Sequence, residues 1–200
     1  MWQLGSAWDD VETLARTWRS ADPFPHLVFD EVVPPERVPE LFAILEQEPV
    51  ESYAGEIFAF DATDPAPKTD EFRALRDSFA RAFAPKLARI TGKELRRVEL
   101  RAYAYRVGHY LLPHSDHRQE VGRALAFAYY LPSPEPPTGG ELELFRCRME
   151  GDEIVSTESA KLIEPVGNRL VVFEVGDASL HQVCEVVEGL RISLSGWFYP

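Results

Sequence analysis

Hydrophobic residues recur at helical spacing in the first half of the chain. Segments 9–20, 34–49 and 70–90 each carry apolar residues three and four positions apart, which face the same side of an α-helix. We therefore predict three amphipathic helices. The segment 70–90 has the longest apolar stripe and is followed by Gly92, a residue type that often ends helices. Pro85 lies inside this segment and is expected to kink or split the helix, because proline removes a backbone donor.

The hydrophobic pattern changes to a period of two from residue 94 onward, after an earlier β-rich run at 23–33. Alternate residues of a strand point to opposite faces, so this period predicts β-strands. Turn sequences rich in Gly, Pro and Asp separate the alternating segments. The predicted strands are 97–107, 109–115, 122–131, 140–146, 160–165, 169–175, 179–187 and 190–199.

Eight strands at this spacing are typical of a sandwich or barrel. Helices that precede them would pack on the outer face of the sheet, so we predict an α+β fold built around a jelly roll. We expect one domain over residues 1–200, with 1–93 as mainly helical support and 94–200 as the jelly-roll core. Residues 50–70 are polar and contain prolines, which predicts a loop. Loops of this length are often lids or binding loops, although a plain surface excursion is the other interpretation.

The charge and composition of the chain argue against several classes of partner and location. The formal net charge is −12, and no run of Lys and Arg is longer than Arg96-Arg97, so no nucleic-acid partner is expected. We see no signal peptide and no apolar stretch long enough for a membrane span. Cys147 and Cys184 are too few for a disulfide framework. These features predict a soluble cytoplasmic protein and leave its oligomeric state open.

The last predicted strand has one polar face. Its odd-numbered positions share that face and carry Arg191, Ser193, Ser195 and Trp197. A cation on the inner wall of a barrel is costly unless an anion pairs with it. The planar guanidinium of Arg191 can hold a carboxylate through two parallel hydrogen bonds, and neighbouring hydroxyls such as that of Ser193 can complete the site. Arg191 is therefore a candidate carboxylate receptor.

The predicted strand 122–131 separates bulky from small side chains. Its bulky face carries Leu125, Phe127, Tyr129 and Leu131. Its other face carries Ala124, Ala126, Ala128 and Tyr130. We predict that the bulky face fills the core beneath the helices, while the alanines line a space into which Tyr130 places its phenol. Tyr105, on an earlier strand, is a second phenol candidate for the same space.

His114 and Asp116 form the start of a candidate metal site. In an extended segment, residues two apart point to the same side, so this imidazole and carboxylate can reach the same point without help from tertiary structure. His181, farther along the chain, is the candidate third ligand. Two histidines and one carboxylate on one face of an iron ion leave three positions open for a co-substrate and dioxygen.

The spacing between His181 and Arg191 connects the metal site to the carboxylate receptor. The two residues are separated by a turn at Glu188-Gly189, which suits neighbouring antiparallel strands of a hairpin. We therefore expect the metal ligand and the cation to lie side by side on adjacent strands. A co-substrate with a 2-oxo acid at one end and a carboxylate at the other would bridge them. 2-Oxoglutarate has this shape.

Several motifs occur in a fixed order over residues 23–200. They are Pro23-Phe-Pro-His-Leu-Val28, Tyr105-Arg-Val-Gly108, His114-Ser-Asp116, Tyr129-Tyr-Leu-Pro132, Gly139-Gly-Glu-Leu-Glu-Leu-Phe145, His181, Arg191 and Gly196-Trp-Phe198. Together they resemble the Fe(II)/2-oxoglutarate-dependent oxygenases of the prolyl hydroxylase branch. The resemblance is greatest to the ribosomal-protein prolyl hydroxylases and their bacterial relatives.

This resemblance implies a double-stranded β-helix, a form of jelly roll, and hydroxylation of an unactivated C–H bond with release of succinate and CO2. The implied substrate is a small molecule or a peptide: a prolyl residue, or a proline-like or amino-acid-like compound. Fe(II), 2-oxoglutarate and O2 are the implied cofactors, with ascorbate as a candidate reductant. The presence of Asp116 implies hydroxylation rather than halogenation, because related halogenases lack this carboxylate.

The resemblance also implies a role for each matching residue. His114, Asp116 and His181 would bind Fe(II), and Arg191 would pair with the distal carboxylate of 2-oxoglutarate. The remaining implied roles are hydrogen bonds to the co-substrate from Tyr105 and Tyr130, packing beside it by Trp197, and a place near the substrate for Arg123.

Two other classes of protein share parts of this pattern. A cupin-type metal-binding β-barrel enzyme would share the jelly roll and the metal ligands without using 2-oxoglutarate. Arg191 argues against that class, because a cupin-type enzyme would not need a cation after the last histidine. A catalytically inactive binding module is the second alternative, and the complete ligand set argues against it.

Overall fold

Three α-helices precede most of the strands in the computed structural model, which describes residue 2 and residues 4–200. The helices are α1 (Val11–Ser20), α2 (Val38–Leu45) and α3 (Asp70–Thr91), with short 3-10 segments at Ser6–Trp8 and Pro35–Arg37. The strands are β1 (His26–Phe29), β2 (Val50–Ala54), β3 (Phe58–Thr63), β4 (Arg97–Tyr105), β5 (Tyr110–His114), β6 (Leu125–Tyr130), β7 (Thr138–Gly139), β8 (Leu142–Glu150), β9 (Glu153–Ile163), β10 (Arg169–Glu174), β11 (His181–Val183), β12 (Val186–Glu188) and β13 (Arg191–Tyr199). None of the described helices is both long enough and apolar enough to cross a membrane.

Most of the strands belong to one curled antiparallel sheet. Its neighbours follow the order β1-β10-β6-β13-β4-β3-β5-β11-β8-β9, with β2 paired to β3. The short strands β7 and β12 pair with each other. The architecture is therefore mixed α and β and mainly β, with the helices against one face of the sheet.

Helix α3 is defined by caps at both ends. The Thr69 side chain accepts a hydrogen bond from the Phe72 backbone N–H, and Gly92 ends the helix with a φ of 73°, where a side chain would be strained. The helix is continuous through Pro85, so the expected split is wrong. Proline removes one backbone hydrogen bond, whereas the apolar stripe on both sides of it is buried and holds the helix against the sheet.

The main core lies between the helices and the sheet. As predicted, the bulky face of β6 is buried there, and the ring of Phe127 stacks on that of Phe79 from α3 at 4.6 Å between centroids. Phe198 of β13 packs against the same pair. The face carrying Ala126 and Ala128 points the other way, toward a second cluster inside the curled sheet.

The predicted loop at residues 50–70 is wrong for most of its length. Residues 50–63 form the hairpin of β2 and β3, and β3 pairs with both β4 and β5 inside the main sheet. The first part of the chain therefore contributes strands as well as helices. Strand β2 is mostly exposed, so its sequence has no alternation of buried and exposed positions that would predict a strand.

Other strand boundaries also differ from the prediction. The predicted strands 140–146 and 160–165 are parts of a long hairpin made of β8 and β9. The predicted strand 179–187 is divided into β11 and β12, which pair with different partners. Both differences involve exposed or irregular segments, in which side-chain alternation is not fixed by burial.

Candidate functional site

Three side chains converge where β5 meets β11. His114 is the last residue of β5 and pairs with His181, the first residue of β11, while Asp116 follows two residues after His114. One ligand atom from each of the three lies within 4.8 Å of the others. Asp116 and His181 are buried, and Asp116 Oδ2 lies 3.6 Å from His181 Nε2. The sequence-predicted triad is thus brought together.

Backbone carbonyl groups orient both imidazoles. His114 Nδ1 lies 2.9 Å from the carbonyl oxygen of Leu112, and His181 Nδ1 lies 3.0 Å from that of Ser179. A carbonyl can only accept a hydrogen bond, so each Nδ1 carries the hydrogen and each Nε2 keeps a free lone pair. This is the usual outer-sphere arrangement for metal-binding histidines.

The protonation state of His181 also suits a ligand. Burial, and then the proximity of His114, lowers the pKa of His181 to about 4. The imidazole is therefore neutral at neutral pH, which is the form that binds metals. Two imidazoles and one carboxylate, with the remaining side open to a cavity, are the donor set expected for a non-haem iron site. The residues present fit Fe(II).

Arg191 lies at the inner end of the same cavity. It is only 3% exposed, and its guanidinium lies between the rings of Tyr105 and Tyr130, 4.7 and 4.8 Å from their centroids. Its Nη1 reaches the hydroxyl of Ser193 at 3.5 Å, and Ser195 donates to the same hydroxyl at 3.0 Å. The groups that contact it are aromatic rings and a hydroxyl, and no carboxylate of the described residues pairs with it. A buried charge in such surroundings is stabilised when an anionic ligand binds.

Several buried polar atoms on this wall have no hydrogen-bond partner among the described residues. They include Arg191 Nε, the Tyr130 hydroxyl and Trp197 Nε1. Unpaired buried groups are rare in native proteins, so such a cluster marks a place where a ligand binds. Burial raises the pKa of Tyr105 above its usual range, so its hydroxyl stays protonated and can donate to an anion.

A cavity of about 380 Å³ connects the triad with Arg191. Ala126 and Ala128 line it, as predicted, and their small side chains leave the space open. Phe60 from the β2–β3 hairpin and Phe173 from β10 close its sides, and the Phe173 ring contacts that of His181 at 4.7 Å between centroids. The volume suits a small metabolite with part of a second substrate.

The expected hairpin relation between His181 and Arg191 is wrong. Strand β11 pairs with β5 and β8, whereas β13 pairs with β4 and β6. The two residues reach the same cavity from separate parts of the curled sheet. Chain spacing alone suggested a hairpin, but the intervening β12 pairs with β7 and directs the chain across to another part of the sheet.

Arg123, which was expected near the substrate, lies beside the triad. Its guanidinium stacks on the Trp197 ring at 3.6 Å from the centroid, and its Nη1 lies 3.4 Å from Asp116 Oδ1. Residues that sequence reasoning did not assign to the site also line the cavity: Phe58, Phe60, Arg101 and Arg118. The alternation of Phe58 and Phe60 was the available signal for β3.

Comparison with known proteins identifies the family of this chain. The sequence profile of the 2OG-Fe(II) oxygenase superfamily matches residues 100–199, and the chain belongs to that family. The resemblance predicted from the motifs is thus confirmed, and membership implies Fe(II), 2-oxoglutarate and O2 as predicted.

Two curated relatives are prolyl 3-hydroxylases named OGFOD1, from Mus musculus and Xenopus laevis. Each is 35% identical over 136 residues, which is 66% of this chain. The aligned region covers 24% of the mouse protein and 26% of the frog protein, so the chain spans about a quarter of the length of these relatives.

Solved structures share the fold. A Pseudomonas putida prolyl-4-hydroxylase superposes with a TM-score of 0.67 at 18% identity, over 94% of this chain and 98% of the other. A Trichoplax adhaerens prolyl hydroxylase, solved with a fragment of the hypoxia inducible factor oxygen degradation domain, gives 0.71 at 15% identity, over 98% and 94%. The predicted double-stranded β-helix with helices packed on its outer face is confirmed.

Proposed function

We propose that residues 1–200 form one oxygenase domain that hydroxylates a prolyl residue, or a proline-like or amino-acid-like substrate. The co-substrate 2-oxoglutarate would leave as succinate and CO2. The observation that carries this proposal is the continuity of the His114, Asp116 and His181 cluster with a cavity that ends at buried Arg191. The prolyl hydroxylases among the relatives and structural neighbours support this choice of substrate.

Each member of the cluster has a defined part in holding the metal. His114 and His181 would bind Fe(II) through Nε2, since the backbone carbonyls occupy both Nδ1 atoms. Asp116 would bind it through a carboxylate oxygen, with Arg123 fixing the orientation of that carboxylate. Bound Fe(II) would supply the activation of dioxygen that drives the oxidation.

The far wall of the cavity would hold 2-oxoglutarate. Arg191 would pair with its distal carboxylate, and Tyr105, Tyr130 and Ser193 would provide hydrogen bonds around it. Trp197, on the same face of β13, would pack at the edge of this pocket. The near-complete burial of this wall excludes water, which strengthens the ionic contact with Arg191.

The proposal is tested with purified protein, Fe(II) and 2-oxoglutarate. We expect succinate to form, and we expect candidate prolyl peptides or free amino acids to gain one oxygen atom, measured by mass spectrometry. The matched control is the Asp116→Ala variant under the same conditions. If succinate does not exceed that control, the proposed hydroxylase activity is wrong.

Three expectations from the sequence stay predictions. These are the cytoplasmic location, the lack of a nucleic-acid partner and the use of ascorbate as a reductant. Cell fractionation, a DNA and RNA binding assay, and succinate formation with and without ascorbate would test them in turn.

A further inference from the structure

A pair of arginines, Arg101 and Arg123, lies near the triad and is separate from Arg191. Arg101 on β4 pairs in register with Ser195 on β13, and the Arg123 guanidinium lies over Trp197, two residues farther along the same face of β13. Both arginines line the cavity. They therefore flank the stretch of wall from Ser195 to Trp197, away from the end where Arg191 sits.

Arg101 is held by neutral groups only. Its Nε donates to the carbonyl oxygen of Thr63 at 2.6 Å, and its Nη1 lies 3.4 Å from the Tyr103 hydroxyl. Its Nη2 is buried and has no hydrogen-bond partner in the part of the chain that the structure describes. No carboxylate of the described residues forms an ion pair with it. A positioned guanidinium of this kind retains an unused donor and a charge without a direct ion-pair partner.

Arg123 is only partly compensated. Its one ion pair among the described residues is with Asp116, at a long distance of 3.4 Å, and its Nε is buried without a partner. Its side chain is 17% exposed, and its stacking on Trp197 fixes the plane of the guanidinium. The contact with Asp116 uses Nη1 only, so the buried Nε of Arg123 stays available to donate to a second anion.

The charge around the cavity is opposite to that of the whole protein. Arg101, Arg118, Arg123 and Arg191 line it, whereas Asp116 is the one carboxylate among the lining residues that are described. The chain as a whole carries a net charge of −12. 2-Oxoglutarate would use the charge of Arg191, so the charges of Arg101 and Arg123 remain for another ligand.

We propose that Arg101 and Arg123 together bind a carboxylate of the substrate that is hydroxylated. The inference rests on the proposed function, because it defines the substrate class of the same cavity. The carboxylate belongs either to a free proline-like amino acid or to an acidic side chain beside a target proline in a peptide. Both sources present the same planar anion, which a guanidinium binds through paired hydrogen bonds.

Isothermal titration calorimetry under argon tests the inference, with full-length protein, Fe(II) and saturating 2-oxoglutarate. L-Proline is compared with L-prolinamide, and N-acetyl-Pro-Glu-amide with N-acetyl-Pro-Gln-amide. We expect the carboxylate member of one pair to bind about ten- to hundredfold more tightly, as for a charge-assisted hydrogen bond. The pair that shows the preference identifies the source of the carboxylate.

Four variants show which residues are responsible for the preference. Arg101→Gln and Arg123→Gln should each reduce the carboxylate preference, whereas Arg81→Gln, which removes an exposed arginine of α3, should keep it. Arg101→Gln also removes the contact with Thr63, so Arg101→Lys serves as a second variant that keeps the charge. It should retain only part of the preference, because an ammonium group cannot make the paired hydrogen bonds of a guanidinium. Equal affinity within both probe pairs, or no binding of any probe, would overturn the inference.

Because binding is measured without turnover, the two proposals fail separately. Succinate formation with no carboxylate preference would leave the oxygenase assignment standing and reject the arginine pair. A carboxylate preference lost in Arg101→Gln, without succinate formation, would support the arginine pair and reject the oxygenase assignment.

Discussion

The two faces of strands β6 and β13 differ in how their polar groups are satisfied. On the helix side, Phe127 and Phe198 pack against α3, and the hydroxyl of Tyr129 donates to Asn168 Oδ1 at 3.1 Å. On the cavity side, small alanines leave space, and Tyr130 and Arg191 keep buried polar atoms without partners in the described structure. On the helix-side face the buried polar groups are hydrogen-bonded within the protein, whereas on the cavity-side face a ligand is needed to provide the missing hydrogen-bond partners.

This difference predicts which property each face controls. Substitutions on the helix side should lower the free energy of unfolding and leave ligand affinity alone. Substitutions on the cavity side should lower metal or co-substrate affinity with little loss of stability. Polar side chains that have no partner in the protein contribute little to the stability of the unliganded fold.

The largest effect is expected at the metal triad. His181→Ala should reduce bound iron and bring succinate formation down to the level of metal-free protein, because it removes one of the three proposed ligands. Iron is measured by elemental analysis after reconstitution with Fe(II). His117→Ala is the matched control, since this histidine lies outside the cluster and pairs with Asp177. Full iron content in His181→Ala would contradict the assignment of the ligands.

The helix-side core should give the largest change in stability. Phe79→Ala removes a fully buried ring that stacks on Phe127, so we expect a loss of about 3–5 kcal/mol in the free energy of unfolding. Urea denaturation measures it, with Val50→Ala, which is 53% exposed, as the control. The affinity of the remaining folded protein for 2-oxoglutarate should be unchanged. A large change in that affinity would show that the two faces are coupled.

Arg191 should control co-substrate affinity. Arg191→Gln is expected to raise the dissociation constant for 2-oxoglutarate about ten- to hundredfold, because it removes a charge-assisted interaction, while Fe(II) stays bound. Titration calorimetry under argon measures the constant, and Arg148→Gln, at an exposed ion pair, is the control. Unchanged affinity would remove Arg191 from its proposed role.

The smallest effects come from hydroxyl groups on opposite faces. Ser193→Ala should weaken 2-oxoglutarate binding by about 0.5–1.5 kcal/mol, the net value of one hydrogen bond, and should lower stability by less, through loss of the hydrogen bond from half-buried Ser195. Tyr129→Phe should do the reverse, lowering the free energy of unfolding by a similar amount through loss of the bond to Asn168. Parallel urea and calorimetric titrations of both variants compare the two faces directly. If each variant changed both quantities equally, the division between the faces would be wrong.

Much of the site was predictable because its parts depend on local geometry. His114 and Asp116 share a side of their segment since residues two apart do so in extended chain. The same period assigned Arg191 to the cavity face of β13 and Phe127 to the helix face of β6. The ordered motifs then indicated the family before any contact was known.

The errors concern pairing between distant segments. Strand β3 was predicted to be part of a loop, yet it enters the sheet between β4 and β5. His181 and Arg191 were expected on adjacent strands, yet they lie in separate parts of the sheet. The hydrophobic period of a single segment predicts neither of these strand pairings, because strand order depends on which strands pair when the sheet curls.

The sequence by itself determined which side chains share a face and which two candidate metal ligands lie together, because backbone geometry fixes both within a few residues. Only the tertiary structure decided that His181 and Arg191 meet at one cavity, and that Arg101 keeps a buried, unpaired donor there. Those facts depend on the closure of the sheet, which joins residues that are far apart in the chain.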